Sequence, residues 1–278
     1  MVFSQRQFEE VMGETRAIFK NREVFTMDYL PEIYKYRDQQ LKKMVAFSKN
    51  IKEGLAPHHM ILTGSFATGK TSATKKFFQL LEENFNDTVQ CVHINCQFDK
   101  TEHNVLSEIY SKISSAKKSY DKHSSSKVFD KIMEELMLQD KILIIALDDY
   151  NLIQTNEELN SLLYKLLRAH EKYDNIKISV FLISNNEEFF AFNPTISTVF
   201  DPISIYFDPY THSQTYDILK QRCQAGFIKG AINKEVLMKV TDYTRDQGDL
   251  RDGIHMLAHA GEKAEIHGYN EIRTDCLF

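Results

Sequence analysis

Long apolar segments are missing from this sequence. It has no run of about 18 or more apolar residues, the usual minimum for a membrane-spanning helix, and no basic segment followed by an apolar one opens the chain. We therefore expect a cytoplasmic protein. The composition, 42% hydrophobic and 26% charged over 278 residues, is that of a globular protein with one large domain and a smaller one.

Cysteine is also scarce, and its spacing is not that of a zinc finger. The pattern favours reduced thiols over a metal site or a disulfide framework. The four cysteines are Cys91, Cys96, Cys223 and Cys276. His255 and His259 stand four residues apart on a predicted helix, but no glutamate accompanies them as it does in H-E-x-x-H, so we expect no metal there.

Positive charge is not in excess, since the net charge is −5. A nucleic-acid-binding surface is usually basic, so any nucleic-acid contact must use a local patch. The candidate is the Ser-rich stretch 114–126, which contains Lys117, Lys118 and Lys122 and is followed by Lys127. The alternative, which the composition favours, is a solvated flexible loop.

The most informative segment is residues 64–71, GSFATGKT, which matches the phosphate-loop pattern G-x-x-x-x-G-K-[ST] at every fixed position. The glycines let successive N–H groups point at one phosphate group, while Lys70 reaches the outer phosphates and Thr71 binds magnesium. The predicted phosphate-binding residues are Gly64, Ser65, Ala67, Thr68, Gly69, Lys70, Thr71 and Ser72.

The context of this loop supports the same interpretation. Residues 59–62 read as a short buried strand and residues 72–83 as a helix with one apolar face. The N-terminus of such a helix adds partial positive charge to an anion site. The segment therefore predicts a site for a nucleoside triphosphate.

The rest of the chain alternates apolar strands with helices up to Pro209. The predicted strands are 59–62, 88–94, 142–147, 178–183 and 203–207, and the helices between them are 102–113, 127–138 and 157–173. This pattern predicts an α/β fold, a five-stranded parallel sheet in a three-layer domain.

Helical patterns flank this domain on both sides. Before it we predict a helix at 7–19, an extended segment at 24–27 and a helix at 37–51; after it, helices at 213–225, 234–243 and 250–265. The predicted domains are an N-terminal helical brace (1–56), the core (57–208) and a small helical lid (209–278).

Two strands of the core end in polar residues. The run 142–147 is followed by Asp148 and Asp149, which suit a magnesium site opposite the phosphate loop. Asp148 would hold the metal with Thr71, and Asp149 would orient the attacking water. The strand 178–183 is followed by Ser184 and Asn185, whose amide could hold the same water, although Asn is common after strands.

With these segments in view, the chain resembles the AAA+ replication initiators of the archaeal origin-recognition/cell-division-cycle type over nearly its whole length. The matching segments, in family order, are Tyr29-Leu30-Pro31-Glu32 with Arg37, Ile94-Asn95-Cys96, Ile183-Ser184-Asn185, Phe207-Asp208-Pro209-Tyr210, Ile218-Leu219-Lys220-Gln221-Arg222 and Gly248-Asp249-Leu250-Arg251. Each is modest alone, but their order together with the phosphate loop is specific.

The resemblance implies roles for residues beyond the loop. Asp148 and Asp149 become the Walker-B acids and Asn185 becomes sensor 1. Arg251 would reach the γ-phosphate from the lid, which suits a guanidinium because its fork makes paired charged hydrogen bonds. Tyr210 and Arg222 would lie at the base of the lid around the nucleotide. The implied cofactors are ATP or ADP and Mg²⁺; the implied partners are duplex DNA, another initiator subunit or the replicative helicase.

The chain departs from the family at three places. Asp149 stands where the family usually has glutamate, and its shorter side chain predicts slow hydrolysis with ATP binding retained. In the family, the segment that corresponds to Asn193-Pro194-Thr195 usually carries an arginine finger, an arginine that contacts the γ-phosphate in the neighbouring subunit. We therefore expect no arginine finger from this segment and no self-activating homo-ring. The third departure is length, because relatives continue into a winged-helix domain; either this sequence is a fragment or the protein lacks that domain.

Three functions remain open from the sequence. The favoured one is a slow ATP-dependent switch in origin recognition or helicase loading. The second is an ATP-binding regulatory relative with little hydrolysis that pairs with a complete initiator and does not bind DNA itself. The third is a different P-loop enzyme, such as a small-molecule kinase, which is disfavoured because the lid has few arginines.

Overall fold

The computed structural model describes residues 17–114, 123–185 and 192–277. By its internal contacts the chain divides into two units, one made of residues 37–65 and 69–208 and the other of residues 1–36, 66–68 and 209–278. None of the helices in the described ranges has the length and apolar character needed to cross a membrane.

The first unit contains a five-stranded parallel sheet in the described residues, in the order β2-β3-β4-β1-β5. The strands are β1 (Met60–Thr63), β2 (Val89–Asn95), β3 (Ile142–Asp148), β4 (Ile178–Ile183) and β5 (Ile203–Tyr206). All five predicted strands are present, shifted by a residue at some ends. Because the sheet is parallel, the polar residues that follow β1, β3 and β4 gather at one edge.

The α-helices of the described residues are α1 (Asp38–Ala46), α2 (Lys70–Phe85), α3 (Glu102–Ile113), α4 (Ser125–Gln139), α5 (Asn156–Leu167), α6 (Ala169–Lys172), α7 (Pro194–Ser197), α8 (His212–Gly226), α9 (Lys234–Gln247) and α10 (Leu250–Ile266). Short 3-10 turns cover Arg22–Phe25, Lys49–Glu53, Tyr150–Leu152 and Thr274–Cys276.

Helices cover both faces of the sheet, and β4 shows why its sequence is almost wholly apolar. Val180 and Leu182 point into the large core shared with α3, α4 and α5. Phe181, which points the opposite way, stacks on Phe77 of α2 with ring centroids 6.0 Å apart. A strand buried on both faces loses the alternation of apolar and polar residues, as the continuous apolar runs predicted.

The outer edge of β5 is protected by α1. Gln40 Nε2 donates to the Tyr206 carbonyl at 3.2 Å, and Lys43 Nζ donates to the Ser204 carbonyl at 2.8 Å. These side chains satisfy carbonyl groups that an edge strand would otherwise offer to another chain.

The second unit packs α8, α9 and α10 around an apolar core that also includes residues near the N-terminus. Ile18, Val24 and Phe25 are buried in it. The glycines of α8 and α10 are needed there, since a Cβ on Gly226 would lie 2.2 Å from the ring of Phe25, and one on Gly261 would lie 2.5 Å from the Phe19 ring. The described N-terminal segment therefore belongs to the core of this unit.

Three local predictions need correction or qualification. The segment predicted as extended, residues 24–27, is partly a 3-10 turn, because the Asn21 side chain accepts a hydrogen bond from the Glu23 N–H and starts the turn at Arg22. The helix predicted over 157–173 is interrupted at Arg168. The helix predicted over 7–19 lies mostly outside the described residues, and the domain boundaries at 56 and 208 stay a prediction.

Candidate nucleotide site

The loop that follows β1 has the backbone conformation of a phosphate loop. Gly64, Ala67 and Gly69 all have positive φ, at 140°, 54° and 86°. Gly64 cannot be replaced without strain, because a Cβ there would lie 2.3 Å from the carbonyl oxygen of Phe207. Ala67 takes up a left-handed conformation that costs an L-residue energy, which is typical of backbone held for binding.

Helix α2 begins at Lys70, directly after the loop. Its N-cap is Gly69, and no side chain caps the helix there. Lys70 is only 4% exposed, and its Nζ donates to the carbonyls of Gly64 and Ser65 at 2.7 and 2.8 Å. The lysine charge thus lies within the curl of the loop, at a helix N-terminus that favours anions.

The end of β3 brings Asp148 to α2. Thr71 Oγ1 donates to Asp148 Oδ2 at 2.6 Å, and His93 Nε2 lies 2.9 Å from the same oxygen. The other oxygen, Oδ1, accepts the backbone N–H of Asp149 at 3.1 Å. The predicted pair of Thr71 and Asp148 is therefore in contact, and Asp148 is only 6% exposed.

The carboxylate of Asp149 is held between two amides. Asn185 Nδ2 donates to its Oδ1 and Gln97 Nε2 to its Oδ2, each at 2.6 Å. Asp149 itself has a φ of 52° and begins the 3-10 turn Tyr150–Leu152. The left-handed conformation turns its side chain away from the direction of the strand, between the ends of β2 and β4.

Sequence reasoning missed His93 and Gln97. For Gln97 the sequence carried a signal, because an asparagine at the end of a strand often begins a turn, as Asn95 does at the end of β2. In that short turn Asn95 Oδ1 accepts the Gln97 N–H at 2.9 Å. His93 lies two residues before Asn95, which pairs with Asp148 in the sheet register. Nothing in the motifs distinguishes His93 from an ordinary strand residue.

The residues present fit a magnesium–triphosphate group. A threonine hydroxyl and carboxylate oxygens are the ligands that Mg²⁺ prefers, and Thr71 and Asp148 offer them side by side. The curled loop with Lys70 supplies the positive field that phosphates need.

The predicted lid residues belong to the second unit, where two of them have clear partners. Arg222 donates to the carbonyls of Val24 and Tyr29 at 2.6 and 3.2 Å, and its guanidinium lies 4.6 Å from the centroid of the Tyr29 ring. Burial lowers the pKa of Arg222, although the nearby tyrosines oppose this. In this structure the side chain thus holds the N-terminal segment. Tyr210 is half-buried just before α8.

Arg251 lies in the first turn of α10 and forms an ion pair with its N-cap, Asp249. The guanidinium donates to both carboxylate oxygens, with the shortest distance at 2.5 Å. Burial alone would raise the pKa of Asp249, but the hydrogen bonds from Arg251 outweigh it and lower that pKa. Half of the Arg251 side chain is exposed. Its predicted role at the γ-phosphate stays a prediction.

The basic stretch falls largely outside the described residues. Lys117, Lys118 and Lys122 are in the undescribed segment 115–122, and Lys127 is exposed in the first turn of α4.

Comparisons with known proteins agree with this geometry. The profile of an AAA domain matches residues 56–190, and that of a "Cdc6 AAA+ ATPase-type lid domain" matches residues 216–277. The structure of the Aeropyrum pernix ORC1 protein in complex with DNA is similar at a TM-score of 0.84 and 24% identity, covering 94% of this chain and 68% of that one. A parallel phosphate-loop sheet with such a lid defines an AAA+ protein, so the predicted fold is confirmed.

Curated relatives identify the family within that class. ORC1-type DNA replication protein 2 of Methanothermobacter thermautotrophicus is 35% identical over 94% of this chain and 69% of its own length. ORC1-type DNA replication protein 3 of Haloarcula marismortui is 34% identical over 96% of this chain and 72% of its own length. The chain belongs to the family of archaeal ORC1/Cdc6-type AAA+ DNA replication initiators, which confirms the resemblance seen in the sequence.

Proposed function

We propose that this protein is a slow ATP-dependent switch in origin recognition or helicase loading. It holds ATP for longer than a motor protein takes to hydrolyse it. The observation that carries the proposal is the pair of hydrogen bonds that Asn185 and Gln97 donate to the two carboxylate oxygens of Asp149. Beside them lies the contact between Thr71 and Asp148. Membership of the initiator family supports the setting in replication.

Binding is assigned to the loop and the two side chains that meet beside it. Gly64, Ser65, Ala67, Thr68, Gly69, Lys70, Thr71 and Ser72 surround the phosphates. Thr71 and Asp148 hold Mg²⁺, which would neutralise charge on the β- and γ-phosphates. Since Asp148 accepts from both Thr71 and His93, its side chain is already positioned for that task.

Slow hydrolysis is assigned to Asp149. A carboxylate that orients water needs an oxygen available to accept the water proton. Both oxygens of Asp149 accept from amides at 2.6 Å, and the side chain is a methylene shorter than glutamate. Each oxygen keeps a second lone-pair site for the water, but the two amides fix the orientation of the carboxylate, so we expect turnover to be faster when one amide releases it. Asn185 has two tasks in this account, since it restrains Asp149 and is also the predicted sensor of the γ-phosphate.

The lid residues complete the proposal. Arg251 would exchange its ion pair with Asp249 for the γ-phosphate, which is a more highly charged partner. Tyr210 and Arg222 would line the base of the lid. Because Arg222 also holds the carbonyls of Val24 and Tyr29, ATP-dependent change in the lid would be transmitted to the N-terminal segment.

The proposed partners are duplex DNA and another initiator subunit or the replicative helicase, in the cytoplasm. Support comes from the family and from the similar ORC1 structure, which was solved in complex with DNA. The net charge of −5 limits DNA contacts to a local basic surface. A second candidate is therefore a regulatory relative that binds ATP, pairs with a complete initiator and does not bind DNA itself.

Two binding measurements test these assignments. A fluorescent ATP analogue should bind the wild type in the presence of Mg²⁺ and bind Lys70→Ala much more weakly. Lys76→Ala is the matched control, because Lys76 is a half-buried lysine on the same helix whose Nζ donates to Gln79. Failure of the wild type to bind nucleotide would overturn the switch.

Duplex DNA binding, measured over a range of salt concentrations with nucleotide bound, separates the two candidates. A salt slope equivalent to several released counterions supports the initiator switch. Absence of binding in low salt, with nucleotide retained, supports the regulatory relative.

A further inference from the structure

The amino-terminal edge of the sheet has a cavity that the proposed nucleotide site does not use. It lies where β1 and β4 begin, beside the corner between α5 and α6, and its volume is about 400 Å³. All the residues that line it belong to the first unit. The phosphate loop, Asp148 and Asp149 lie where the strands end, so the cavity is at the opposite edge of this parallel sheet.

The walls of this cavity are mostly apolar. Seven of its ten lining residues are apolar, among them Leu166 of α5, Ile176 just before β4, Ile178 of β4 and Val199. Leu166 and Ile176 are buried, while Ile178 and Val199 are half-buried. Sites for small molecules have volumes of about 300 to 1,000 Å³ and combine apolar walls with a few polar groups. The size and the walls therefore suit a small organic molecule with an apolar body.

The polar side chains of the cavity are a lysine and two histidines. They are His59, His170 and Lys177, and no acidic residue is among the described residues that line it. Lys177 is half-buried, and within the described part of the chain its Nζ forms neither a hydrogen bond nor an ion pair. A charge that has lost part of its water gains from an opposite charge nearby. The ammonium group of Lys177 therefore favours an anion in the cavity.

His59 adds a neutral hydrogen-bond donor to this ammonium group. Its Nδ1 accepts the Val180 N–H at 3.0 Å. Burial, with a smaller contribution from the charge of His58, lowers the pKa of His59 to about 4, so the ring is neutral near pH 7. A neutral imidazole carries one proton, and since Nδ1 is an acceptor, that proton is on Nε2. Among the described residues Nε2–H has no acceptor, so it can donate to a bound molecule.

We propose that this cavity binds a small carboxylate with an apolar body, whose two oxygens accept from Lys177 Nζ and His59 Nε2–H while the body packs against Leu166, Ile176 and Val199. A carboxylate fits better than a phosphate, because the cavity offers one lysine charge and no arginine fork for a doubly charged group. The site goes beyond the proposed function and does not depend on it, since the nucleotide would bind at the other edge of the sheet.

Two probes that differ only in charge test the site in the full chain. 4-Phenylbutyrate and its neutral counterpart 4-phenylbutanol are titrated into protein labelled at the methyl groups of Ile, Leu and Val, and NMR spectra are recorded. The acid should shift the methyl signals of Leu166, Ile176, Ile178 and Val199 with a Kd of about 1 mM or less. The alcohol should bind at least about tenfold more weakly, because it cannot form a charged hydrogen bond. Equal affinities, or no shifts at these methyl groups, would overturn the proposal.

A matched pair of lysine substitutions tests the charge. Lys177→Met removes the ammonium group and keeps most of the side chain, so it should weaken binding of 4-phenylbutyrate about tenfold and leave binding of the alcohol unchanged. Lys141→Met is the control, because Lys141 is also half-buried and directly precedes β3 as Lys177 precedes β4, but does not line the cavity. Equal effects of the two substitutions on the acid, or no effect of Lys177→Met, contradict the inference.

Filling the cavity tests its position independently of charge. Val199→Trp should abolish the binding of both probes, and retained binding of 4-phenylbutyrate by the folded variant would show that the cavity is not the site. Methyl spectra and thermal unfolding show whether this variant is folded; the comparison of acid with alcohol on the wild type does not depend on it. A fluorescent ATP analogue added to the same wild-type sample should still bind. Its failure to bind counts against the proposed function, whereas failure of 4-phenylbutyrate to bind counts against the carboxylate site alone.

Discussion

Asp148 and Asp149 are consecutive, yet their carboxylates have different partners. Asp148 still has strand conformation and contacts Thr71 and His93. Asp149 has turned into the left-handed region and contacts Asn185 and Gln97. The change of backbone conformation between the two residues would thus separate the proposed metal-binding role of Asp148 from the proposed water-orienting role of Asp149.

The length of the acid at position 149 should limit turnover. Asp149→Glu adds one methylene and extends the carboxylate beyond its amide partners, so we expect faster hydrolysis with nearly unchanged affinity for nucleotide. Steady-state turnover at saturating ATP is the measurement. Unchanged or slower turnover would show that the shorter acid is not the limit.

Removal of one of the two amides that contact Asp149 should also raise turnover. Gln97→Leu removes the amide hydrogen bond to Oδ2 of Asp149, and we expect turnover to rise by about tenfold or more, since a hydrogen bond to a charged group is worth about 1.5 to 3 kcal/mol. Gln90→Leu is the matched control, because Gln90 lies on β2, which leads into the turn that carries Gln97, and donates to the Lys112 carbonyl instead. A fall in turnover for Gln97→Leu alone would mean that Gln97 assists hydrolysis.

At the scale of elements, a half-buried histidine before β1 is held by β4. His59, just before β1, accepts the Val180 N–H with Nδ1 at 3.0 Å. Burial, with a smaller contribution from the charge of His58, lowers the pKa of His59 to about 4. The folded protein therefore holds His59 neutral at a pH where the unfolded chain would protonate it.

This histidine should make the fold sensitive to acid. Between about pH 6.5 and pH 4 the unfolded state binds the extra proton, so the free energy of unfolding falls as pH falls, by about 3 kcal/mol from this group over the whole window. Denaturant unfolding at several pH values should show a smaller acid dependence for His59→Gln than for wild type. His259→Gln, an exposed histidine on α10, should keep the wild-type dependence.

The N-terminal segment is fastened to α10 by one buried acid. Glu265 is 6% exposed and accepts from the N–H groups of Ile18 and Phe19 as well as from Arg22. The loss of these acceptors leaves buried donors unpaired, which is costly.

We therefore expect Glu265→Leu to lower the free energy of unfolding by about 1 to 3 kcal/mol and to speed amide exchange over residues 18–25. Glu262→Leu, on the exposed side of the same helix, should change neither quantity appreciably. Equal effects of the two substitutions would contradict a specific role for Glu265.

At the scale of the whole molecule, the order of elements was predictable because its signals are local. Apolar runs of strand length, the glycine loop and Pro209 each depend on a few adjacent residues. Membership of the family was visible for the same reason, since its motifs are short and ordered along the chain.

What could not be predicted depends on contacts between distant residues. The side chain of Gln97 reaches Asp149 only because β2 lies beside β3, and Arg168 reaches Thr195 only because α7 packs along α5. Arg222 was assigned to the nucleotide by its motif, and the sequence offered no sign that it also holds the carbonyls of Val24 and Tyr29. Each of these partners is far away in the sequence.

The proposed nucleotide site should retain ATP rather than turn it over rapidly. Single-turnover hydrolysis, with protein in excess over radiolabelled ATP and nucleotide release followed in the same sample, measures both cleavage and retention. We expect ATP to stay bound and intact over many minutes in the wild type and to be cleaved faster in Asp149→Glu. Rapid cleavage by the isolated wild-type chain, or no retained ATP at all, would contradict it.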